Sequence, residues 1–303
     1  MSAPLVVEAV RGTLVESRHL VDVAVVDAAG SLMAGAGDPT SVAYLRSAAK
    51  PVQATACVEL GWSPPGAEQL AVACASHNGE PAHLEAVRKT LAAAGLGEDA
   101  LRCPAERGAR INHNCSGKHA AMLAATVANG WDPDGYLNPD GEIHRAVRAA
   151  LETLAGSPSR SVATDGCGVP TFAFTLAEAA VMFARLPARA AGAIASMRAH
   201  PFLVAGSGRI CTVTMARTPG LVMKVGAEGL LCGVLIERGT AFAVKTRDGA
   251  ARGREIATLE VLDHLGVIDA PGSARVIAEI APRLFVGAGR QPELRCVGTI
   301  ESV

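Results

Sequence analysis

This chain has no excess of positive charge and few aromatic side chains. Its 303 residues hold 28 lysines and arginines against 29 aspartates and glutamates, a formal net charge of −1, with six Phe, two Tyr and two Trp. Nucleic-acid binding needs a basic surface for the phosphates and aromatic rings for unpaired bases. The composition therefore argues against a nucleic-acid partner.

Long hydrophobic runs and a recognisable export signal are also missing. Hydrophobic residues make up 50% of the chain. Charges such as Glu8, Glu59 and Arg88 interrupt each run before it reaches the roughly 20 residues that span a bilayer. The first residues carry no basic segment before their apolar stretch, unlike a secretory signal. We therefore expect a cytoplasmic protein with no membrane partner, whose eight cysteines are reduced thiols rather than a disulfide framework.

Strand patterns lie near both ends of the chain, with helical patterns between them. Strands are predicted at 4–10, 20–27, 31–35, 210–216, 221–226, 230–237, 241–246 and 294–301, and helices at 44–60, 81–95, 117–130, 139–155, 175–186, 188–199, 252–265 and 272–280. This order predicts an α/β (α+β) fold, a mixed or antiparallel sheet flanked by helices with an inserted helical subdomain. We expect a single domain over 1–303, with sheet-forming parts at about 1–50 and 209–303 and a helical region at about 51–208.

Lysine is rare, since only five of the 28 basic side chains are Lys. Arginine cannot lose its proton in a protein, so a position that needs a neutral amine must be lysine. Ser47 and Lys50 stand three residues apart near the start of a predicted helix, where the amine can reach the hydroxyl and act as its base. Taken alone, the pair also fits a serine at a helix start beside a solvated lysine.

Two further short motifs follow in chain order. Ser76 and Asn78 flank a histidine after an apolar run, and Lys224 stands two residues before a glycine at the end of a predicted strand. The three motifs in this order are expected by chance on the order of 0.005 times. The set resembles that of the penicillin-recognising serine hydrolases, whose nucleophile and general base share the first motif. That resemblance implies an acyl-enzyme mechanism.

Two glycine-rich loops make the resemblance specific to one family. They contain Cys-Ser-Gly-Lys-His at 115–119 and Asp-Gly-Cys-Gly at 165–168. With Ser-His-Asn-Gly-Glu at 76–80 and Lys-Val-Gly-Ala-Glu-Gly at 224–229, the chain resembles the Rhizobium-type, or class 3, L-asparaginase family from about residue 7 to near its end. The resemblance implies a serine β-lactamase-like fold, a homodimer, and hydrolysis of L-asparagine to L-aspartate and ammonia.

The catalytic residues that the resemblance implies are two serine–lysine pairs. Ser47 would attack the carbonyl with Lys50 as its base, and Ser76 with Lys224 would pass a proton towards the leaving group. The backbone N–H groups of Ser47 and Ala227 are candidate donors of an oxyanion hole. Which of the two serines is acylated stays open.

A zinc ion held by Cys115, Lys118 and Cys167, with a water completing the shell, is also implied by the resemblance. Two thiolates and a neutral amine form a soft donor set with one open position, which suits zinc. The alternative interpretation is that the cysteines are two of eight buried thiols and that the lysine lies on the surface near a helix start.

Substrate binding is predicted from charge. Asparagine carries an ammonium and a carboxylate on its α-carbon, so its site needs a carboxylate for the first and donors or a cation for the second. Asp165 is the candidate for the ammonium, and Arg46, Asn78 and His119 are candidates for the rest. Each of these residues could equally cap a helix or brace a loop.

The leading hypothesis is therefore a cytoplasmic L-asparaginase. A close alternative is another amidase, or a β-lactam or peptide hydrolase, on the same fold. A third hypothesis, from a different class, is a non-catalytic zinc or thiol module in which the serines only cap helices.

Overall fold

The structure is a computed structural model that describes residues 2–285 and 291–303. The chain divides into two compact units. We call Met1–Ala48, Phe174–Arg185 and Gly208–Val303 the sheet unit, and Ala49–Ala173 with Leu186–Ser207 the helical unit. The predicted organisation, a single domain with sheet-forming ends and a helical middle, stays a prediction.

Strands and helices are numbered here in chain order. The strands are β1 (Leu5–Arg11), β2 (Leu14–Val26), β3 (Leu32–Ala36), β4 (Val42–Tyr44), β5 (Ser161–Thr164), β6 (Pro170–Thr175), β7 (Leu221–Val225), β8 (Leu230–Leu235), β9 (Thr240–Thr246), β10 (Glu293–Val297) and β11 (Glu301–Ser302). The helices are α1 (Lys50–Glu59), α2 (Ala67–Ala73), α3 (Pro81–Ala93), α4 (Ser116–Ala128), α5 (Glu142–Ala155), α6 (Leu176–Arg189), α7 (Ala191–Ala199), α8 (Pro201–Ala205), α9 (Ile210–Arg217), α10 (Ala251–His264) and α11 (Ala270–Leu284). Among the helices of the described residues, none has both the length and the apolar character that crossing a bilayer requires.

An antiparallel sheet forms the core of the sheet unit. Its strand order is β10-β1-β2-β9-β8-β7, and β3 pairs with both β2 and β11. Leu5 lies opposite Val21, and both are fully buried. Helix α10 packs on β1, β2 and β9, as expected for a sheet that buries one face against a helix. The predicted mixed α/β fold with an antiparallel sheet and flanking helices is therefore confirmed.

The strand predicted at 210–216 is wrong, because this segment is helix α9. Its β-branched residues favour a strand by propensity, but a short buried apolar run does not distinguish strand from helix by its pattern. Met215 of α9 accepts a hydrogen bond from the backbone N–H of Met223 in β7 through its sulfur, at 3.3 Å. The helix thus covers the edge of β7, the last strand of the sheet order, and so protects an edge that would otherwise pair with another chain.

The helix predicted at 44–60 begins later than expected. Strand β4 ends at Tyr44, a 3-10 turn covers Arg46–Ala49, and α1 starts at Lys50. Arg46 has a φ of 48°, in the left-handed region that non-glycine residues rarely adopt. Strain of this kind is frequently found at functional sites, and here it immediately precedes Ser47.

Two other segments differ from the sequence prediction. The hairpin of β5 and β6 lies within the predicted helical region, with Ser161 opposite Ala173. Strand β5 has only four residues, mostly exposed, too few to show a strand period. The strand predicted at 294–301 is two strands, β10 and β11, which pair with β1 and β3 respectively.

Helix α4 is the centre of the helical unit. Residues 116–126 of this helix are all buried, and α1, α2, α3 and α5 pack around it. A Cβ atom on Gly117 would lie 2.2 Å from the backbone oxygen of Val72 in α2. The two backbones can therefore approach this closely only because residue 117 is glycine.

We expect Gly117→Ala to destabilise the protein by about 1–3 kcal/mol, because the new methyl group overlaps a backbone oxygen that cannot move independently. Gly192→Ala, in α7, is the matched control: its Cβ would meet only a side-chain atom of Leu70, at 3.7 Å. This control should gain about 0.5–1 kcal/mol through helix propensity. Denaturant unfolding of both variants measures the difference, and equal stabilities would contradict the close approach of α2 and α4.

Candidate active site

The predicted site residues fall into two groups, one in each unit. The helical unit holds Lys50, Ser76, Asn78, Cys115, Lys118, His119, Asp165 and Cys167, and the sheet unit holds Arg46, Ser47, Lys224 and Ala227. Each group is described within its own unit.

Lys50 is the first residue of α1 and is fully buried. Its Nζ lies 3.1 Å from the Oγ of Ser76 and also donates to the backbone oxygens of Ala75 and Asn114. The motif spacing predicts Lys50 as the partner of Ser47, and the family resemblance implies Ser76 as the partner of Lys224. The Lys50–Ser76 contact was not predicted, and it joins the first motif to the second.

The electrostatic environment of Lys50 favours its neutral form. Burial lowers the pKa of this amine, and it outweighs the neighbouring Cys115, which raises the pKa. Lys118 lowers it further. A neutral amine 3.1 Å from a hydroxyl oxygen can accept the hydroxyl proton when that oxygen attacks a carbonyl.

Cys115, Lys118 and Cys167 converge in the helical unit, and all three are buried. The Nζ of Lys118 lies 3.1 Å from the Sγ of Cys167, and Cys167 also hydrogen-bonds to Cys115. That hydrogen bond lowers the pKa of Cys115 and raises the pKa of Cys167, so the pKa values of the two cysteines are shifted in opposite directions. Burial alone would lower the pKa of Lys118, but the two cysteines outweigh it and raise the pKa.

The donor chemistry of this cluster fits a zinc ion. Among the described residues, no group of three or more His, Cys, Asp or Glu side chains could hold a metal. A site here therefore depends on the lysine as third donor. Two sulfurs and one nitrogen of these buried residues already lie in contact, and they are ligands that zinc accepts.

Backbone hydrogen bonds hold the loop that carries Ser76 on two sides. The backbone N–H groups of Ser76 and Asn78 donate to the oxygens of Val204 and Ala205, and that of His77 donates to the oxygen of Asn114. These bonds, each 3.0–3.2 Å long, place the loop between α8 and the segment that precedes α4. Ser76 is therefore positioned against Lys50 by regular backbone bonding rather than by its own side chain.

His77 is a residue of this loop that sequence reasoning missed. Its Nε2 lies 3.0 Å from the Oγ of Ser116, which itself donates to the oxygen of Ile111. The backbone N–H of Gly79 donates to Nδ1. Nε2 therefore carries the proton, and the ring ties the Ser76 loop to the first turn of α4, beside Cys115. The position of His77 between Ser76 and Asn78 was the only sequence signal.

Asn78 braces the same loop through its side chain. Its Nδ2 donates to the Oε1 of Glu80 at 2.7 Å and to the backbone oxygen of Ser207 at 3.1 Å. Burial raises the pKa of Glu80, but the hydrogen bonds from Asn78 and Ser207 outweigh it and lower the pKa. The amide nitrogen of Asn78 is thus already engaged in the loop, and its predicted contact with substrate stays a prediction.

His119 directly follows Lys118 in sequence, and Asp165 lies two residues before Cys167. His119 is fully buried with its Nδ1 2.7 Å from the hydroxyl of Tyr136, and its Nε2 has no hydrogen-bond partner among the described residues. Asp165 lies half-buried in a tight turn, where its Oδ1 accepts from the backbone of Gly166 at 2.6 Å. Its charge also raises the pKa of Lys118, so Asp165 stands close to the cluster. Its predicted role for the substrate ammonium stays a prediction.

In the sheet unit, the turn that carries Ser47 lies against the end of β7. A Cβ atom on Gly226 would be 2.8 Å from the backbone oxygen of Leu45, so only glycine permits this approach. Lys224 is fully buried in β7, and its Nζ donates to the backbone oxygen of Val225 at 2.9 Å. The first and third sequence motifs are therefore neighbours within this unit.

A buried lysine amine bonded to a serine hydroxyl is an arrangement of hydrolases that activate a serine nucleophile. Comparison with protein families identifies the family, because the model of the L-asparaginase II family matches residues 7–292. The chain belongs to the L-asparaginase II family and is an amidohydrolase. The predicted family resemblance is confirmed.

Several solved structures are similar in fold. Native Mglu has 12% identity and a TM-score of 0.48, over 82% of this chain and 66% of that chain. A β-lactamase from Mycobacterium bovis, Mb2281c, has 16% identity and a TM-score of 0.39, over 82% of this chain and 95% of that chain. The chain thus spans about two thirds of the length of Mglu. At these TM-scores the likenesses decide neither the detailed topology nor the chemistry. Comparison with curated proteins gave no match.

The burial of His144 beside Tyr136 can be tested through the pH dependence of stability. Its Nε2 bonds to the backbone oxygen of Tyr136 at 3.0 Å, and burial lowers the pKa of His144 to about 4. The unfolded chain, with a His pKa near 6.5, takes up this proton first as the pH falls, so stability is lost on acidification. Between pH 7.5 and 5 we expect this residue to cost about 2 kcal/mol.

The measurement compares unfolding free energies at the two pH values. His144→Gln, which retains a donor for the Tyr136 oxygen, should lose about 2 kcal/mol less than wild type on acidification. His264→Gln changes an exposed histidine of α10 and should follow the wild-type pH profile. Parallel profiles for all three proteins would contradict the burial of a neutral His144.

Proposed function

We propose that this amidohydrolase converts L-asparagine to L-aspartate and ammonia through a serine acyl-enzyme. The observation that carries the mechanism is the fully buried amine of Lys50, 3.1 Å from the Oγ of Ser76. Membership of the L-asparaginase II family supports the choice of substrate. The reaction consumes one water and releases one ammonia, so no other reactant is needed.

The chemistry proceeds in two halves. In the first, a serine Oγ attacks the side-chain carboxamide carbon while a lysine amine takes the hydroxyl proton, and the C–N bond then breaks as the nitrogen gains a proton. Ammonia leaves and an aspartyl ester remains on the serine. In the second half, water attacks the ester carbonyl while the lysine amine takes a proton from that water. The ester C–O bond then breaks, the serine oxygen takes this proton from the lysine, and aspartate leaves.

Ser47 is the nucleophile in our proposal, with Lys50 as its base. Ser76 with Lys224 then passes the proton to the leaving nitrogen, and the contact of Ser76 with Lys50 allows protons to be exchanged between the pairs. The strained backbone of Arg46 supports this choice of nucleophile, because it fixes the direction of the turn that carries Ser47. Ser76 is the alternative nucleophile, since it already contacts a lysine amine.

Substrate binding completes the proposal. The carboxylate of Asp165 pairs with the substrate ammonium, and Arg46, Asn78 and His119 serve the substrate carboxylate and amide. The backbone N–H groups of Ser47 and Ala227 stabilise the negative oxygen that forms at the attacked carbonyl. His119 supports this assignment through its Nε2, which has no hydrogen-bond partner in the described part of the chain.

A zinc ion belongs to the proposal as a resident cofactor, one per chain. Cys115, Lys118 and Cys167 would hold it, and a water would complete the shell. When bound, zinc supplies a positive charge that keeps both thiols and the amine deprotonated. We also propose that the protein forms a homodimer and acts in the cytoplasm.

Lys50→Met tests the base. The variant keeps an apolar stem of similar length but cannot accept a proton, so we expect kcat/KM for ammonia release from L-asparagine to fall by about 10²–10⁴. Lys89→Met is the matched control, because Lys89 is exposed and forms an ion pair with Glu85, at 2.8 Å. It should retain wild-type activity.

The serine variants identify the nucleophile in the same assay. Ser47→Ala should abolish turnover, and Ser76→Ala should slow it. Peptide mapping of acid-quenched enzyme should find the aspartyl adduct on Ser47. Full activity in Ser47→Ala would reject that assignment, and full activity in both serine variants would reject serine chemistry altogether.

Metal content tests the zinc proposal. Protein purified at near-neutral pH without chelator should contain one zinc per chain by elemental analysis, and Cys115→Ala and Cys167→Ala should contain none. Cys57→Ala is the control, since Cys57 is also buried but its pKa is raised to about 12 by burial among apolar side chains. Wild-type protein without zinc would reject the metal and leave the serine mechanism standing.

A further inference from the structure

A buried guanidinium lies against the end of β7 in the sheet unit. Arg254 of α10 is 8% exposed. Its Nη1 donates to the backbone oxygen of Gly226 at 3.1 Å, and its Nη2 to the Oε1 of Glu255 at 2.6 Å. Glu255 is buried as well. Removing two charges from water costs free energy that their mutual attraction often fails to recover, so this pair is weak evidence for a stabilising role.

The oxygen that Arg254 contacts belongs to the peptide between Gly226 and Ala227. In a trans peptide the carbonyl and the N–H point in opposite directions. The guanidinium at the oxygen therefore directs the Ala227 N–H away from α10. In the described part of the chain this N–H has no hydrogen-bond partner, so it remains available to an external acceptor.

The same peptide is fixed on its other sides. The backbone N–H of Gly226 donates to the oxygen of Leu230 at 2.7 Å. The Cα of Gly226 lies against the oxygen of Leu45, where a Cβ would be at 2.8 Å. Leu45 begins the turn that carries Ser47. The orientation of the peptide is thus set by Leu230, by the Ser47 turn and by Arg254, and only Arg254 contributes a charge.

A positive charge at a carbonyl oxygen also changes the amide itself. Charge-assisted hydrogen bonds are stronger than neutral ones, and bonds in a chain polarise one another. An amide whose oxygen accepts from a guanidinium becomes a better N–H donor. Donors that are fixed in advance and aimed at a developing oxyanion act on the transition state more than on the bound substrate.

We propose that Arg254 is a positioning residue, which locks and polarises the Gly226–Ala227 peptide so that the Ala227 N–H can stabilise the oxyanion formed at Ser47. This inference rests on the proposed function. Arg254 itself does not touch the substrate. The carboxylate of Glu255 holds the guanidinium in place by accepting a hydrogen bond from Nη2 of Arg254.

Kinetics of three variants test the proposal. Arg254→Met together with Glu255→Met removes both buried charges, which is tolerated better than removing one of them. We expect kcat for ammonia release to fall by about 10–100-fold, less than the 10²–10³ lost with a whole oxyanion donor, while KM changes by less than about threefold. Arg254→Lys keeps a charged donor and should recover part of kcat. Arg252→Gln changes a residue of the same helix that hydrogen-bonds to Ser17, at 3.4 Å, and should behave as wild type.

An NMR measurement separates this inference from the proposed function. Labelling with 1-¹³C-glycine and ¹⁵N-alanine makes only the seven Gly–Ala peptides of the chain visible in carbonyl–amide spectra. The Gly226–Ala227 signal should shift in the double variant, shift less in Arg254→Lys, and stay in place in Arg252→Gln. Wild-type protein that releases no ammonia would reject the proposed function, whereas the spectra would still test Arg254. A folded double variant with unchanged kcat or an unchanged Gly226–Ala227 signal would overturn the inference.

Discussion

The free energy needed to bury a lysine amine is the constraint on which the helical unit depends. The hydrogen-bond partners of Lys50 in the described residues are backbone oxygens, a hydroxyl and the sulfur of Cys115, with no carboxylate among them. Burying an ammonium is costly, and for Lys50 this cost outweighs the attraction of Cys115 and lowers the pKa of the amine. Lys118 is balanced in the opposite way, because Cys115 and Cys167 outweigh the effect of burial and raise the pKa of its amine. The pKa values of two buried lysines in one cluster are thus shifted in opposite directions because their neighbours differ.

Close backbone approaches place the reactive groups in both units. Gly117 lets the first turn of α4 reach α2, and this turn contains Lys118. Gly226 lets the end of β7 reach the turn of Ser47. In each case the functional side chain is next to the glycine in sequence or in space, so its position is set by backbone contact. Positions set in this way vary less than those of side chains on exposed loops.

The sequence was informative where residue type itself limits the chemistry. The scarcity of lysine singled out Lys50, Lys118 and Lys224, and all three are buried. The antiparallel sheet and most helices followed from apolar periodicity. Helix α9 did not, because a β-branched run such as Ile210–Met215 is compatible with either state until the neighbouring strand edge is known.

The contacts within the site were less predictable than its residues. The bond between Lys50 and Ser76 joins segments 26 positions apart, and the contact of Arg254 with Gly226 joins segments 28 apart. Motif spacing reports only on neighbours along the chain, so it paired Lys50 with Ser47. His77 was missed for the same reason, since its partner, Ser116, belongs to the first turn of α4, 39 positions further along the chain.

The low lysine content also has a practical consequence for chemical conjugation. Reagents that acylate amines, such as those used to attach polymers or to immobilise enzymes on a support, react with accessible neutral amines. Lys50, Lys118 and Lys224 are buried, whereas Lys89 is exposed on α3 and Lys245 is partly exposed on β9. Attachment through amines would therefore concentrate on a few surface points and leave the interior lysines unmodified.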